Sequence, residues 1–241
     1  MEAGRVLAAA SSALPAELRR TAFVVGNVGK LGEELLNAVL ENPSYAQIAV
    51  GVRRSMRTAS SRLKPVVLPP AHAAWEPAAA LGRAPDDLFI CLEAPRVSYW
   101  KVATPYLALS SEEMVAFSRR MQAAGTRRIA VLTPMEVHEH LGTGSSIRNV
   151  DEIALVEAGF TRVVIVRPSV DEVAATAESF GQAVADVLLR TLRSVMAPRR
   201  LQPIRKLRAA RIAVHALASL GDGVHIIGAA RLRELAGEPL A

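Results

Sequence analysis

VVGNVGKLG, residues 24–32, decides the fold. It joins an apolar run, TAFVVG from Thr21 to Gly26, to an amphipathic one that carries Leu31, Leu35, Leu36, Val39 and Leu40 on one face and Glu33, Glu34 and Asn37 on the other. A buried strand followed by a helix is the expected structure. Gly26, Gly29 and Gly32 are spaced G-x-x-G-x-x-G across the junction. Physically, the first glycine permits a sharp turn, the second lets the backbone approach a diphosphate, and the third lets helix and strand pack closely. The free N–H groups of the helix tip then face the anion, with Lys30 as a cation beside it.

Outward from this turn, short β-branched runs alternate with helical patterns, the signature of βαβ units. Strands are expected at Gln47–Arg53, Pro65–Leu68, Leu88–Leu92, Arg128–Thr133, Arg162–Val166 and Val224–Ile227. Helices are expected around Trp75–Leu81, at Ser111–Ala124, Asp151–Ala158, Ala177–Met196 and Leu207–Leu220, with a short one at the end. Asn42-Pro43 stops the first helix, and Gly125 and Gly159 end two others. The fold class implied is α/β: a doubly wound parallel sheet of the Rossmann type, with six to seven strands and a helical C-terminal cap. Residues 1–20 read as an accessory segment and 21–241 as one domain, with 170–241 on the cap and substrate side.

Composition agrees. The 241 residues are 51% hydrophobic but only 4% aromatic, so the core is built from Ala, Val, Leu and Ile, which suits a helix-covered parallel sheet. The single cysteine, Cys91, excludes an internal disulfide framework; it lies in the apolar run DLFICL and reads as an inert buried thiol. The N-terminal stretch is Ala-rich, broken by Ser11, Ser12 and Pro15, and carries Glu2 where an export signal needs positive charge. No apolar run reaches the length of a bilayer span, so a soluble, cytoplasmic protein is expected.

Strand two ends on Arg53 and Arg54. NAD sites place a carboxylate about 20 residues past the glycines, for the ribose 2′-hydroxyl. Two guanidinium groups there suit a 2′-phosphate instead, which favours NADP.

The stretch AFVVGNVGKLGEELLNAVLENPSYAQIAVGVRRSM, followed by AAGTRRIAVLT, EAGFTRVVIVRPSV and PIRKLRAARIAVHALASLGDGVHIIGAARLREL, resembles the atypical short-chain dehydrogenase/reductases of the NmrA-like and Tat-interacting-protein type. The likeness spans residues 20–237. It implies NADP(H) held by Gly26, Asn27, Val28, Gly29, Lys30, Leu31, Gly32, Arg53 and Arg54, with Cys91 and Leu92 against the adenosine side. It also implies a hydroxyl after strand five and a Tyr-x-x-x-Lys pair, in which the lysine tunes the tyrosine as acid/base. Thr133 stands for the hydroxyl. Counting back from Gly159-Phe160, however, puts Gly144 at the tyrosine and Arg148 at the lysine, and no tyrosine follows Tyr106. Arginine can orient a ribose; glycine cannot move a proton. Glu93 stands where the family usually has glycine beside the cofactor, and a carboxylate there would crowd or repel phosphate.

Substitutes for the lost acid are His138, with Glu139 and His140 in VHEH after strand five, and Tyr99 or Tyr106 after strand four. His138 and His140 make two-thirds of a metal site, but no third ligand has recognisable spacing, so the site is read as metal-free. Three functional readings stay open. One is a non-catalytic NADP(H)-binding or redox-sensing protein, a pseudoenzyme with a protein partner or a homodimer. Another is an NADP-dependent oxidoreductase acting on a small carbonyl or apolar substrate. The last is an adaptor whose basic segment 190–211, free of acidic residues, binds nucleic acid, a membrane surface or another polyanion.

Overall fold

The computed structural model describes residues 20–69, 77, 81–93, 105–133, 150–168 and 206–235. In chain order these form β1 (Arg20–Val25), α1 (Lys30–Glu41), β2 (Tyr45–Val52), β3 (Leu63–Val67), β4 (Asp87–Cys91), α2 (Ser111–Ala123), β5 (Arg128–Leu132), α3 (Val150–Val156), β6 (Arg162–Val166), α4 (Lys206–Ser219), β7 (Gly223–Ile227) and α5 (Ala229–Leu235). The seven strands make one sheet in the order β3-β2-β1-β4-β5-β6-β7, every neighbouring pair parallel. The chain winds outward from β1 to β3, crosses back to β4, and winds outward again to β7. The crevice of such a sheet lies at the C-terminal ends of β1 and β4, where the winding reverses.

Both faces of the sheet are covered at its centre, which is why β1, β4, β5 and β6 are buried along nearly their whole length and do not alternate. On one face Val24, Val50, Phe89, Ala130 and Val164 pack with Leu31, Leu35 and Val39 of α1 and Ala210, Ala213 and Leu217 of α4. On the other, Phe23, Val25, Leu88, Ile90 and Val163 pack with Met114, Phe117 and Met121 of α2 and Leu155 of α3. The alanines of α4 let it lie close against α1 and over β5 and β6. Residues 206–235, expected on the cap side, thus supply a flanking helix, the edge strand β7 and α5.

Local chemistry explains the element ends. Ser110 and Glu113 form a reciprocal capping box at α2: the Glu113 N–H donates to Ser110 Oγ at 3.2 Å and the Ser110 N–H to Glu113 Oε2 at 2.8 Å. Pro65 lies inside β3, and β3 is an edge, the place where a strand tolerates a missing N–H donor. The expected helix near Trp75–Leu81 falls outside the described residues except for Pro77 and Leu81, which are helical. Expected helix Ala177–Met196 lies wholly outside them. No described helix is long and apolar enough to cross a membrane.

The N-terminal edge of the sheet is pinned by a buried polar cluster. Tyr45 Oη donates to Asp87 Oδ2 at 2.6 Å, and Arg128 Nε donates to Asp87 Oδ1 at 2.6 Å, joining β2, β4 and β5. Burial, then the neighbouring Asp87 charge, pushes the Tyr45 phenol far above its usual range. Burial also raises the Asp87 carboxyl, against the opposite pull of its bonds to Tyr45 and Arg128.

Candidate functional site at the glycine-rich turn

β1 delivers the chain to the crevice, and the turn beyond it has almost no spare room. Gly26 has φ 90°, in the left-handed region that only glycine adopts without strain. A β-carbon there would lie 1.9 Å from the Cys91 carbonyl oxygen of β4. At Gly32 a β-carbon would stand 2.7 Å from both Asn27 Cα and Gly26 O, so the first turn of α1 can press on β1 only because that side chain is missing. Both glycines serve the roles that their spacing predicts.

The middle glycine faces a different neighbour. A β-carbon at Gly29 would meet Glu93 Oε2 at 2.3 Å. The Glu93 carboxylate lies over the tip of α1, accepting from the Leu31 N–H at 2.6 Å and from the Gly32 N–H at 3.3 Å. Gly29, as N-cap, provides no side-chain bond of its own. A helix tip leaves its first N–H groups without partners, and an anion satisfies them best. Here a carboxylate from the end of β4 does so. Glu93 thus holds two of the N–H groups that the tip of α1 leaves without a partner inside the helix.

The remaining expected cofactor residues lie on the same turn, at the end of β4 and just past β2. Asn27 is 2% exposed, and neither its amide nitrogen nor its amide oxygen has a hydrogen-bond partner. Val28 is buried. Lys30 is paired with Glu34 at 3.0 Å and Glu33 at 3.5 Å, so its charge is spent on its own helix. Cys91 is buried, and the Leu92 N–H donates to Leu132 O at 2.9 Å. Arg53 and Arg54 are exposed just past β2.

A second occupant, which sequence reasoning missed, lies between β1 and β2. The Arg53 N–H donates to Pro105 O at 2.8 Å and the Gly26 N–H to Leu107 O at 3.1 Å, while the Leu107 N–H donates to Gly51 O at 3.3 Å. Tyr106 thereby pairs antiparallel with Val52. Pro105–Leu107 forms a short wedge at the corner that the sequence assigns to the adenosine ribose. Partial burial and the charge of Glu33 raise the Tyr106 phenol. The stretch PYLAL carries no turn or strand signal longer than a loop would, so nothing in its pattern announces the wedge.

Of the expected catalytic residues, Thr133 is described. Its N–H donates to Val166 O at 3.0 Å, which sets it at the C-terminal end of β5 beside β6, and its buried hydroxyl has no partner. Arg148, Gly144, His138, Glu139 and His140 lie outside the described residues, as do Tyr99, Trp100 and Lys101. Past β6 the sequence reading also missed Arg167, which is 5% exposed and paired with the equally buried Glu152 of α3, while its N–H donates to Ile227 O at 3.0 Å. Glu152 and Arg167 stand 15 positions apart on different elements, a separation with no helical or strand period to reveal it.

No family model matches the sequence, and no curated protein is similar enough to count as a match. Solved structures do match. The enzyme WbmH of Bordetella bronchiseptica, in complex with NAD+, superposes with a TM-score of 0.51 at 14% identity over 86% of this chain and 75% of its own. A short chain dehydrogenase family protein from Francisella tularensis subsp. tularensis SCHU S4 gives 0.51 at 11%, over 88% of this chain and 98% of its own. WbmG of Bordetella bronchiseptica, in complex with NAD, gives 0.50 at 10%, over 95% and 91%. At such identities the likeness is one of architecture. Strand order, the glycine turn and these superpositions together give the chain a Rossmann-type, doubly wound α/β fold, the architecture it shares with these solved structures.

Proposed function

We propose that the protein is a short-chain-dehydrogenase-like, NADP(H)-binding protein that does not catalyse hydride transfer and uses the dinucleotide as a structural or redox-reporting ligand. The turn carries the binding half of this reading. Gly26 and Gly32 are sterically required, and the α1 tip presents the Leu31 and Gly32 amides, which donate to the Glu93 carboxylate and would donate to a phosphate in its place. Arg53 and Arg54, exposed past β2, are the groups that would take a 2′-phosphate.

The non-catalytic half rests on the tyrosines. The chain has three. Tyr45 is bonded to Asp87 at the opposite edge of the sheet, and Tyr106 sits on the wedge near Glu33. Tyr99 precedes α2, far in sequence from the segment before β6 where the family's tyrosine falls. Without a tuned phenol there, a carbonyl oxygen has no general acid of the usual kind.

Titration of the purified protein with NADPH and NADH, followed by fluorescence of Trp75 and Trp100, tests this reading. NADPH is expected to bind saturably and more tightly than NADH, and Arg53→Ala with Arg54→Ala is expected to erase the difference. Absence of binding by both dinucleotides would overturn the reading; equal affinity would remove its 2′-phosphate part.

One observation favours the oxidoreductase reading instead: the partnerless buried hydroxyl of Thr133 at the end of β5, where a substrate oxygen could accept its proton. Steady NADPH oxidation across a panel of small carbonyls, abolished by Thr133→Ala, would establish it.

A further inference from the structure

We propose that Glu93 is a built-in competitor for the diphosphate: its carboxylate holds the α1 tip in the resting protein, and an anionic ligand enters only by displacing it. The inference rests on the reading of the glycine turn as a dinucleotide site, and it deepens that reading by naming what regulates the site.

Three observations carry it. First, the carboxylate and a phosphate need the same donors. Glu93 Oε2 accepts from Leu31 and Gly32, the amides that a helix tip presents to an anion, and it stands where a β-carbon at Gly29 would be. The two occupants exclude each other by volume as well as by hydrogen bonding. Second, the side chains of the first turn carry an excess of negative charge without a ligand. Lys30 is committed to Glu33 and Glu34, so these three side chains sum to one negative charge, and Glu93 adds a second. An incoming diphosphate therefore meets these negative side chains, which the positive end of the helix dipole offsets in part. Third, the turn keeps unused polar capacity. The Asn27 amide is buried in the middle of the motif with its donor and its acceptor both unsatisfied, as expected of a side chain whose partner belongs to another state of the site.

Displacement is feasible because Glu93 reaches the tip through a flexible side chain. Its displacement forfeits at least the bonds from the Leu31 and Gly32 amides, and ligand binding must repay them. The competitor should therefore weaken anion binding by about 10- to 100-fold relative to a chain without it.

The experiment compares the full chain with Glu93→Gly and Glu93→Gln, using NADPH and inorganic pyrophosphate as separate probes in calorimetric titrations. Glu93→Gly, which clears both charge and volume, is expected to tighten both probes by about 10- to 100-fold, and Glu93→Gln, which keeps the volume and removes the charge, by less. Thermal unfolding without ligand verifies that the variants fold, and pyrophosphate should raise the transition of Glu93→Gly more than that of the wild type. If all three proteins bind NADPH equally, Glu93 is no competitor, while the dinucleotide reading survives. Should the variants gain affinity for pyrophosphate and yet ignore NADPH, the competitor stands and the dinucleotide reading falls. Failure of both probes on every protein overturns both.

Discussion

Across 62 residues of chain, the Glu93 carboxylate takes the Leu31 N–H at 2.6 Å and so does for α1 what an N-cap side chain ordinarily does. Because Gly29 brings no side chain to cap the helix, the whole local benefit falls to Glu93. Glu93→Ala should therefore lower stability by about 0.5–2 kcal/mol in denaturant unfolding without ligand. An unchanged midpoint would mean that water serves the amides as well.

The glycines should differ sharply in their tolerance of alanine. Gly26→Ala places a β-carbon against the Cys91 carbonyl at positive φ, combining backbone strain with a backbone collision, and should cost about 2–5 kcal/mol. Gly29 has φ −125°, which any residue adopts, and the nearest atoms to a β-carbon there belong to the movable Glu93 side chain. Gly29→Ala should then cost no more than Glu93→Ala. Equal destabilisation by the two glycine replacements in urea titrations would contradict this.

At alkaline pH, Tyr45 should govern stability. Its folded phenol titrates far above the ordinary value of 10.0, so its contribution is complete below pH 10 and is lost as pH rises beyond that, while the unfolded chain ionises and the folded one does not. Stability should fall by about 1.4 kcal/mol per pH unit there from this group alone. Tyr45→Phe should flatten that slope although it lowers stability near neutrality, because Asp87 loses its donor. A parallel alkaline slope in both proteins would refute the assignment.

Arg167→Ala should be among the most damaging single changes outside the glycine turn. It would leave Glu152 buried beside α3 without its partner, at a cost of about 3–5 kcal/mol. Replacing both residues together, Arg167→Met with Glu152→Leu, should recover much of that loss, as calorimetry of the single and double variants would reveal.

What the sequence made legible follows from the range of the interactions involved. Runs of β-branched residues and the 3.6-residue helical period act within one element, so all seven strands and the glycine turn could be read directly, with their ends displaced by only a residue or two. β2 begins at Tyr45, earlier than the expected Gln47, because Tyr45 turns inward to Asp87 and pairs with Arg20 across an irregularity in the ladder. β3 starts at Leu63, before Pro65, since an edge strand tolerates the proline. The conflict at residue 93 was visible as a departure from the family pattern, but the hydrogen bonds to Leu31 and Gly32 needed the folded geometry. Arg167 with Glu152, and the wedge between β1 and β2, are contacts between distant segments and leave no local periodicity.

The wedge has a consequence for how this corner could be redesigned. Pro105–Leu107 is held by three main-chain hydrogen bonds, to Gly26, Gly51 and Arg53, and none of them depends on the identity of a side chain. The Tyr106 side chain, however, packs against the core cluster that includes α1, so a residue exchanged for it must fill the same space. The corner next to Arg53 is thereby tied to the integrity of the sheet by main chain and side chain together.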